Sequence, residues 1–227
     1  MHILLTGASS GIGRAAAELL HEREHIIYGV SRQLENLPDG IHPIEADLSK
    51  PEDIENIFNY LPKFNALINC AGMAYLSPIS SGNPEQWKTM WQVNVHALAL
   101  LCQHSLPRLT DTGIILNVSS MSGWRVPPSG GFYAPTKFAV RAITEALRSE
   151  LRAEGSRIRV GSLSPGFVDT PLLDNYFHGR EQQLATQRES KVMLSAEDVA
   201  RSIVHIIEAP EHVEIGDIQM RSTGQKA

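Results

Sequence analysis

Residues 2–13 read HILLTGASSGIG, and this stretch decides the fold. It begins with a short apolar run, which is typical of a buried strand, and continues into a glycine-rich turn. Residues 12–23 then place apolar side chains at a spacing that suits one face of a helix. Glycines let the backbone approach a pyrophosphate closely, and the amino terminus of a following helix attracts anions. The stretch therefore predicts a nucleotide-binding strand, turn and helix, although a turn before a helix needs no ligand.

A second stretch, NVSSMSGWRVPPSGGFYAPTK at residues 117–137, carries the candidate chemistry. Tyr133 and Lys137 are four residues apart, so their side chains share one face if a helix begins near residue 131. Because a nearby ammonium favours the phenolate, we expect Lys137 to lower the Tyr133 pKa. Ser120 follows an apolar run typical of a buried strand, which puts its hydroxyl where open α/β sheets bind ligands. Tyr-x-x-x-Lys alone is also a common accident, a tyrosine at a helix start followed by a solvated lysine.

Together, the run Thr6-Gly7-Ala8-Ser9-Ser10-Gly11-Ile12-Gly13 and the spacing of Ser120, Tyr133 and Lys137 resemble the short-chain dehydrogenase/reductase family. The likeness covers nearly the whole chain, and Gly-x-x-x-Gly-x-Gly is the spacing of the family's non-extended branch. The resemblance implies an α/β fold, a doubly wound Rossmann-type parallel sheet of about seven strands with helices on both faces. It also implies a single domain over residues 1–227 and an NADP(H)-dependent oxidoreductase that interconverts a carbonyl and a secondary alcohol.

The resemblance assigns four catalytic residues. Asn94 lies in a segment at residues 84–109 that is helical in pattern, and in the family this asparagine holds a water beside the active lysine. Ser120 would hold the substrate oxygen, and Tyr133 would exchange the proton. Lys137 would lower the tyrosine pKa and grip the nicotinamide ribose. A buried asparagine in a helix also has a structural interpretation, because its amide must be hydrogen bonded.

The family pattern also marks residues that would bind the dinucleotide. Asp47 has a second interpretation as a turn cap, and residues 49–52 are typical of a capping box for a helix that runs to residue 61. Cys70 departs from the usual Asn-Asn-Ala-Gly of the family but leaves its neighbours in place. The implied cofactor-binding residues are Thr6, Gly7, Ser9, Ser10, Gly11, Ile12, Gly13, Ser31, Arg32, Asp47, Leu48, Asn69, Ala71, Gly72, Tyr133, Lys137, Pro165, Gly166, Val168 and Thr170.

The two residues that directly follow the second predicted strand indicate which dinucleotide binds. An acidic side chain there would accept hydrogen bonds from a free ribose 2′-hydroxyl, whereas Ser31 and Arg32 offer a hydroxyl and a cation. A guanidinium matches a 2′-phosphate with a planar set of donors. We therefore expect NADP(H) to be preferred over NAD(H).

Composition and charge exclude several classes of function. The 227 residues carry a formal net charge of −5, which argues against a nucleic-acid surface because phosphates must be met by clustered Lys and Arg. No apolar run is long enough for a bilayer span or a signal peptide, so we expect a cytoplasmic protein without a membrane partner. The 9 histidines form no ligand cluster, and no metal is expected. Cys70 and Cys102 are expected to be free thiols.

Residues 171–194 are predicted to form a lid over a small-molecule carbonyl or alcohol substrate. The substrate pocket is expected to use residues 74–76, 121–127 and 172–177, with Arg125 as its fixed cation.

The resemblance further implies a homo-oligomer, a tetramer or a dimer. Family members associate through the helix that carries Tyr133 and the long helix around Asn94, by two-fold symmetry. Four apolar positions are candidates for that contact, although each helix also needs an apolar face to pack on the sheet. They are Leu98, Leu101, Ala142 and Leu147.

Two other functions agree with parts of the sequence. The chain could be an NADP(H)-binding regulatory protein that has lost turnover, although such a protein has no reason to keep all four catalytic residue types. It could also be an epimerase or dehydratase of the extended branch, which uses the same tyrosine and lysine. Those enzymes have a different glycine spacing and a larger carboxyl-terminal substrate domain.

Overall fold

Seven parallel strands form one sheet in the computed structural model, which describes residues 1–59, 61–128, 130–189 and 193–225. The strands are β1 (His2–Thr6), β2 (Ile26–Ser31), β3 (His42–Glu45), β4 (Phe64–Asn69), β5 (Leu109–Val118), β6 (Arg159–Pro165) and β7 (Asp217–Met220). Their order across the sheet is β3-β2-β1-β4-β5-β6-β7. The chain thus moves outward from β1 to β3, returns to the other side of β1 and continues to β7. Helices pack on both faces of the sheet, and the predicted doubly wound fold is confirmed.

Helices connect these strands. They are α1 (Gly11–Glu22), α2 (Pro51–Ile57), α3 (Pro84–Trp91), α4 (Ala97–Ser105), α5 (Tyr133–Ala153), α6 (Leu172–Tyr176), α7 (Glu181–Glu189) and α8 (Ala196–Ile207). Single turns of 3-10 helix lie at Leu34–Asn36, Leu106–Arg108 and Met121–Gly123, and a π-helical turn lies at Gln92–His96. Ser195 and Asp198 form the capping box at the start of α8.

Alternate residues of each strand pack on opposite faces of the sheet. On β1, Ile3 and Leu5 belong to a core cluster that includes side chains of α1 and α8. Leu4 belongs to a second cluster with side chains of α2, α4 and α5. All three side chains are 0% exposed, and burying each contributes roughly 1.5–3 kcal/mol. The strand period of two therefore produces the two layers of helices.

The helix predicted at residues 84–109 is interrupted in the structure. The π-helical turn Gln92–His96 separates α3 from α4, and β5 already begins at Leu109. Asn94 lies inside that turn and bonds to the loop after β4. A π turn holds one more residue than an α turn, which hydrophobic periodicity alone does not reveal.

The predicted capping box at residues 49–52 is wrong. Ser49 donates its hydroxyl to Asp47 Oδ1 at 2.8 Å, and α2 begins at Pro51 without a side-chain cap. The helix ends at Ile57, four residues earlier than predicted. Asp47 accepts the Ser49 amide at 3.0 Å in the turn before the helix, so its turn interpretation holds.

Three of the four predicted interface side chains are buried within the chain itself. Leu98, Leu101 and Leu147 pack in the core cluster between the sheet and helices α4 and α5. Their assignment to a subunit contact is therefore wrong, because both helices use that apolar face to cover the sheet. Ala142 lies on the exposed side of α5.

Within the described ranges, none of the helices has the length and apolar character needed to cross a membrane. Cys70 and Cys102 are free thiols.

Candidate active site

A cavity of about 880 Å³ opens at the carboxyl ends of the strands, above β1, β4, β5 and β6. These ends lie in register, because Thr6 pairs with Asn69 and Asn69 pairs with Asn117. The loops that leave them consequently meet at one edge of the sheet, next to the point where the strand order reverses. Most of the predicted site residues line this cavity. They are Gly7, Ser9, Ser10, Gly11, Ile12, Gly13, Ser31, Arg32, Asp47, Leu48, Ala71, Gly72, Ser120, Tyr133, Lys137, Pro165, Gly166, Val168 and Thr170.

Three predicted site residues bond to the protein beside the cavity and do not line it. Thr6 Oγ1 accepts the amides of Cys70 and Ala71, each at 3.1 Å. Asn69 Nδ2 donates to Asn117 Oδ1 at 2.8 Å in the buried layer below. Asn94 Oδ1 accepts the Met73 amide at 2.7 Å. Thr6 and Asn94 therefore hold in place the loop that follows β4, and Asn69 links the ends of β4 and β5.

The glycine-rich turn folds back tightly on the start of α1. Gly7 has φ +73°, and a β-carbon there would lie 2.8 Å from the α-carbon of Ala71. A β-carbon at Gly13 would lie 2.1 Å from the Gly7 carbonyl oxygen. Only glycine fits these two positions, and the first amides of α1 are left without acceptors within the helix. This end of the cavity has the geometry of an anion-binding turn.

Two charged residues, Arg32 and Asp47, line the end of the cavity near β2 and β3. Asp47 has its pKa held below the ordinary value, first by the Ser49 amide and also by the Arg32 guanidinium. Ser31 Oγ donates to the Gln33 carbonyl at 3.0 Å and accepts the Gln33 amide at 3.1 Å. The Ser31 proton is therefore committed to the backbone, and Arg32 is left as the donor suited to a phosphate.

Ser120, Tyr133 and Lys137 converge at the other end of the cavity. Tyr133 is the first residue of α5, and the Lys137 amine lies 5.8 Å from the centroid of its ring. Ser120 precedes the turn Met121–Gly123, and its Oγ accepts the Ser122 amide at 3.1 Å. A hydrogen bond joins the side chains of Ser120 and Tyr133. The helical spacing predicted for the tyrosine and the lysine is thus present.

The electrostatics of Tyr133 differ from the expectation. Burial raises its pKa well above the usual range, the hydrogen bond from Ser120 opposes this, and the neighbouring Tyr176 adds to it. The expected lowering of this pKa by Lys137 is wrong, because desolvation of the phenol is the larger effect. Tyr133 therefore holds its proton at neutral pH.

Lys137 is buried, with 6% of its surface exposed. Burial lowers the pKa of Lys137 to about 8, and the neighbouring Cys70 sulfur opposes this. Its Nζ donates to the Val118 carbonyl at 3.1 Å. The burial of Cys70 raises the pKa of that thiol to about 12, so the sulfur is uncharged at neutral pH. Cys70 therefore adds an apolar wall to the site.

Residues of the predicted lid contact Tyr133. The ring of Tyr176 in α6 packs edge-on against the ring of Tyr133, with centroids 5.9 Å apart. The Leu76 amide donates to the Tyr176 carbonyl at 3.2 Å. Leu194, the last residue of the predicted lid, forms a β-bridge with Val168, which precedes the lid in the chain. Residues 190–192 of the predicted lid lie outside the described residues.

The predicted substrate pocket is present in part. Its members at the cavity wall are Ala74, Met121, Ser122, Trp124, Arg125, Pro127, Leu172, Leu173, Asn175 and Tyr176. Phe177 instead packs beneath the wall, in the apolar cluster that includes Tyr133.

Sequence reasoning did not place residues of the carboxyl-terminal segment in the site. Arg221, Gly224 and Gln225 line the cavity, and Gln225 Oε1 accepts the Phe167 amide at 3.0 Å. This contact joins residues 58 positions apart, which no local pattern encodes. The only signal available was their position directly after the last predicted strand.

Comparison with known proteins agrees with this geometry. A profile described as short chain dehydrogenase matches residues 1–181. Dehydrogenase/reductase SDR family member 11 from Bos taurus is 38% identical, with 98% of this chain and 96% of that protein covered. Farnesol dehydrogenase from Aedes aegypti is 30% identical, with 98% and 96% covered. The closed form of a serine dehydrogenase complexed with NADP+ matches with a TM-score of 0.93 and 27% identity, and 100% of this chain and 97% of that one are covered. With a family profile over most of its length and relatives that match from end to end, this chain belongs to the short-chain dehydrogenase/reductase family of oxidoreductases.

Proposed function

We propose that this protein is an NADP(H)-dependent oxidoreductase that interconverts a carbonyl and a secondary alcohol. The main support is the convergence of Ser120, Tyr133 and Lys137 in the cavity that also contains the glycine-rich turn. The turn suits a dinucleotide, because its two tightly packed glycines keep side chains away from the space where a pyrophosphate would lie. The similar serine dehydrogenase is complexed with NADP+, which further supports this cofactor.

The proposed chemistry divides between the dinucleotide and the protein. The nicotinamide, when bound, supplies or accepts the hydride. In reduction, Ser120 holds the carbonyl oxygen by a hydrogen bond, and its orientation is helped by the amide that it accepts from Ser122. Tyr133 gives the proton, for which a phenol that stays protonated at neutral pH is the required form.

Lys137 and Asn94 have supporting roles in this proposal. Lys137 holds the nicotinamide ribose and interacts with Tyr133 once the site is filled. Asn94 fixes the loop after β4, because its side-chain amide donates to the Met73 carbonyl at 2.8 Å and to Thr136 Oγ1 at 3.1 Å. The other cofactor-binding residues assigned above, the lid at residues 171–194 and the cytoplasmic location stay predictions.

NADPH oxidation measured with a panel of aldehydes, ketones, 3-oxo acids and quinones tests the function. Lys137, Arg125 and Arg221 line the cavity, and the only acidic side chain described there, Asp47, adjoins Arg32. We therefore expect a 3-oxo acid to react faster than its methyl ester, because the ester lacks the charge that the arginines attract. Turnover of any carbonyl excludes the alternative of a regulatory protein without activity. No turnover across the panel, with NADPH bound, would favour that alternative.

We also propose that the protein forms a homo-oligomer through the outer face of α3 and α5. Trp91 is 46% exposed and Phe138 is 38% exposed, and large exposed apolar side chains are typical of contact surfaces. Phe132 lies beside this face, with its ring centroid 6.4 Å from that of Trp91.

Light scattering at micromolar concentration should give a dimer or tetramer mass. Replacing both Trp91 and Phe138 with glutamate should shift that mass to the monomer, because two charges would have to be desolvated in the contact. Val213→Glu is the matched control, since Val213 is 37% exposed elsewhere on the surface. A monomer mass for the unmodified protein contradicts the proposal.

A further inference from the structure

Arg141 contacts the turn that carries Ser120. It lies one helical turn after Lys137 on α5, and its Nη1 donates to the Gly123 carbonyl at 3.0 Å. The carbon at the centre of its guanidinium lies 3.2 Å from the centroid of the Trp124 ring. The side chain therefore bonds to one residue of the turn and stacks on the next.

Trp124 is held from its other side as well. Its Nε1 donates to Ser164 Oγ at 3.0 Å, and Ser164 lies in β6 with 1% of its surface exposed. The position of Arg141 is set by two contacts, the stacking on the indole ring of Trp124 and the hydrogen bond to the Gly123 carbonyl.

Hydrogen bonds within the turn couple the position of Gly123 to that of Ser120, three residues earlier in the chain. The Gly123 amide donates to the Ser120 carbonyl at 2.8 Å, and the Ser122 amide donates to Ser120 Oγ at 3.1 Å. Gly123 also lies directly on α5, where a β-carbon would be 2.6 Å from the Lys137 carbonyl oxygen. A shift of Gly123 would therefore move the Ser120 hydroxyl relative to α5.

We infer that Arg141 is a positioning residue that fixes the Ser120 hydroxyl against Tyr133. It acts through the Gly123 carbonyl and the Trp124 ring and touches neither substrate nor cofactor. Its kinetic consequence rests on the proposed function, whereas its effect on the turn does not. Misplacing a reacting group by about 1 Å can cost about 10²-fold in rate, which sets the scale of the expected effect.

The test compares Arg141→Met with Arg148→Met. Arg148 is also on α5 and also bonds to backbone carbonyls, those of Val160 and Gly216, each at 2.9 Å, away from the Ser120 turn. In Arg141→Met, amide hydrogen exchange in a peptide spanning residues 119–125 should be at least about ten-fold faster than in the wild type, whereas Arg148→Met should leave it unchanged.

The kinetic readout separates positioning from general stability. We expect Arg141→Met to lower kcat by about 10- to 100-fold while the NADPH Kd stays within about twofold. Arg148→Met should lower the melting temperature and keep kcat. Arg141→Lys should recover part of kcat, because its ammonium can donate to the Gly123 carbonyl but lacks the planar face that stacks on Trp124.

Three results would overturn the inference. Unchanged exchange at residues 119–125 in Arg141→Met would do so whether or not a substrate is known. An equal loss of kcat in Arg148→Met would show a general effect of stability. Faster exchange with a wild-type kcat would show that the turn does not set the rate. If the wild type turns over no carbonyl, the proposed function fails, and the exchange experiment still decides whether Arg141 holds the turn.

Discussion

Replacing Tyr133 with phenylalanine is expected to lower kcat by about 10²–10⁴-fold, the range that general acid-base transfer contributes. The ring keeps its edge-on contact with Tyr176 and its buried place at the start of α5, so only the hydroxyl and its bond to Ser120 are lost. The measurement is steady-state NADPH oxidation with the best substrate of the panel. NADPH affinity, measured by fluorescence titration, should change by less than about threefold, because a loss confined to the transition state leaves cofactor binding intact.

Tyr28→Phe is the matched control for this variant. Tyr28 lies on β2, and its hydroxyl bonds to His2 Nδ1 at 3.1 Å outside the cavity. Removing that hydroxyl should cost about 1 kcal/mol of stability at most and leave kcat unchanged. A wild-type kcat in Tyr133→Phe would refute the assignment of the proton donor.

The second large effect concerns the choice of cofactor. The unmodified protein should bind NADPH about ten- to a hundredfold more tightly than NADH, because a charge-assisted bond between Arg32 and the 2′-phosphate contributes about 1.5–3 kcal/mol. Arg32→Leu should remove most of this preference by weakening NADPH binding and leave the NADH Kd nearly unchanged. Ser31 is not expected to contribute a hydroxyl bond, since its proton is donated to the Gln33 carbonyl.

The salt dependence of binding and a variant of the neighbouring Arg14 further test the role of Arg32. The Arg32 charge already acts on Asp47, so the phosphate competes with a carboxylate, and the preference should fall as salt is added. Arg14→Leu is the control, because Arg14 lies beside the glycine-rich turn but already bonds to Glu18 at 2.9 Å and to the Asn36 carbonyl at 3.1 Å. Equal Kd values for NADH and NADPH in the unmodified protein, at one ionic strength, would contradict the role of Arg32.

Most of the fold could be predicted because the sequence patterns that indicate it involve residues close together in the chain. The strand β1, the glycine turn and α1 occupy consecutive residues, and a motif with that order names a family as well as a structure. The spacing of Tyr133 and Lys137 is likewise a property of one helix. These predictions needed no knowledge of how distant parts of the chain meet.

The rest depends on contacts between distant parts of the chain. Side chains of α3, α6 and α7 pack in one apolar cluster with Tyr133, and its burial reversed the expected direction of its pKa. Gln225 reaches the loop after β6 from the end of the chain, and Leu98 is covered by the chain's own sheet. The desolvation, burial and hydrogen bonding of a side chain depend on all the residues that surround it in the folded protein. The periodicity and spacing of residues along the sequence therefore do not predict them.

The π-helical turn at Gln92–His96 should make this segment tolerant of a shorter chain at one place only. A π turn holds one more residue than an α turn, so loss of one residue there would let α3 and α4 join as one regular helix without rotating either half. Leu101 would stay against the sheet, and Met90 would stay in the apolar cluster near Tyr133. Loss of one residue within α4 itself would instead rotate the residues that follow by about 100° about the helix axis. A one-residue deletion should therefore be tolerated better inside the turn than in the regular helix beside it.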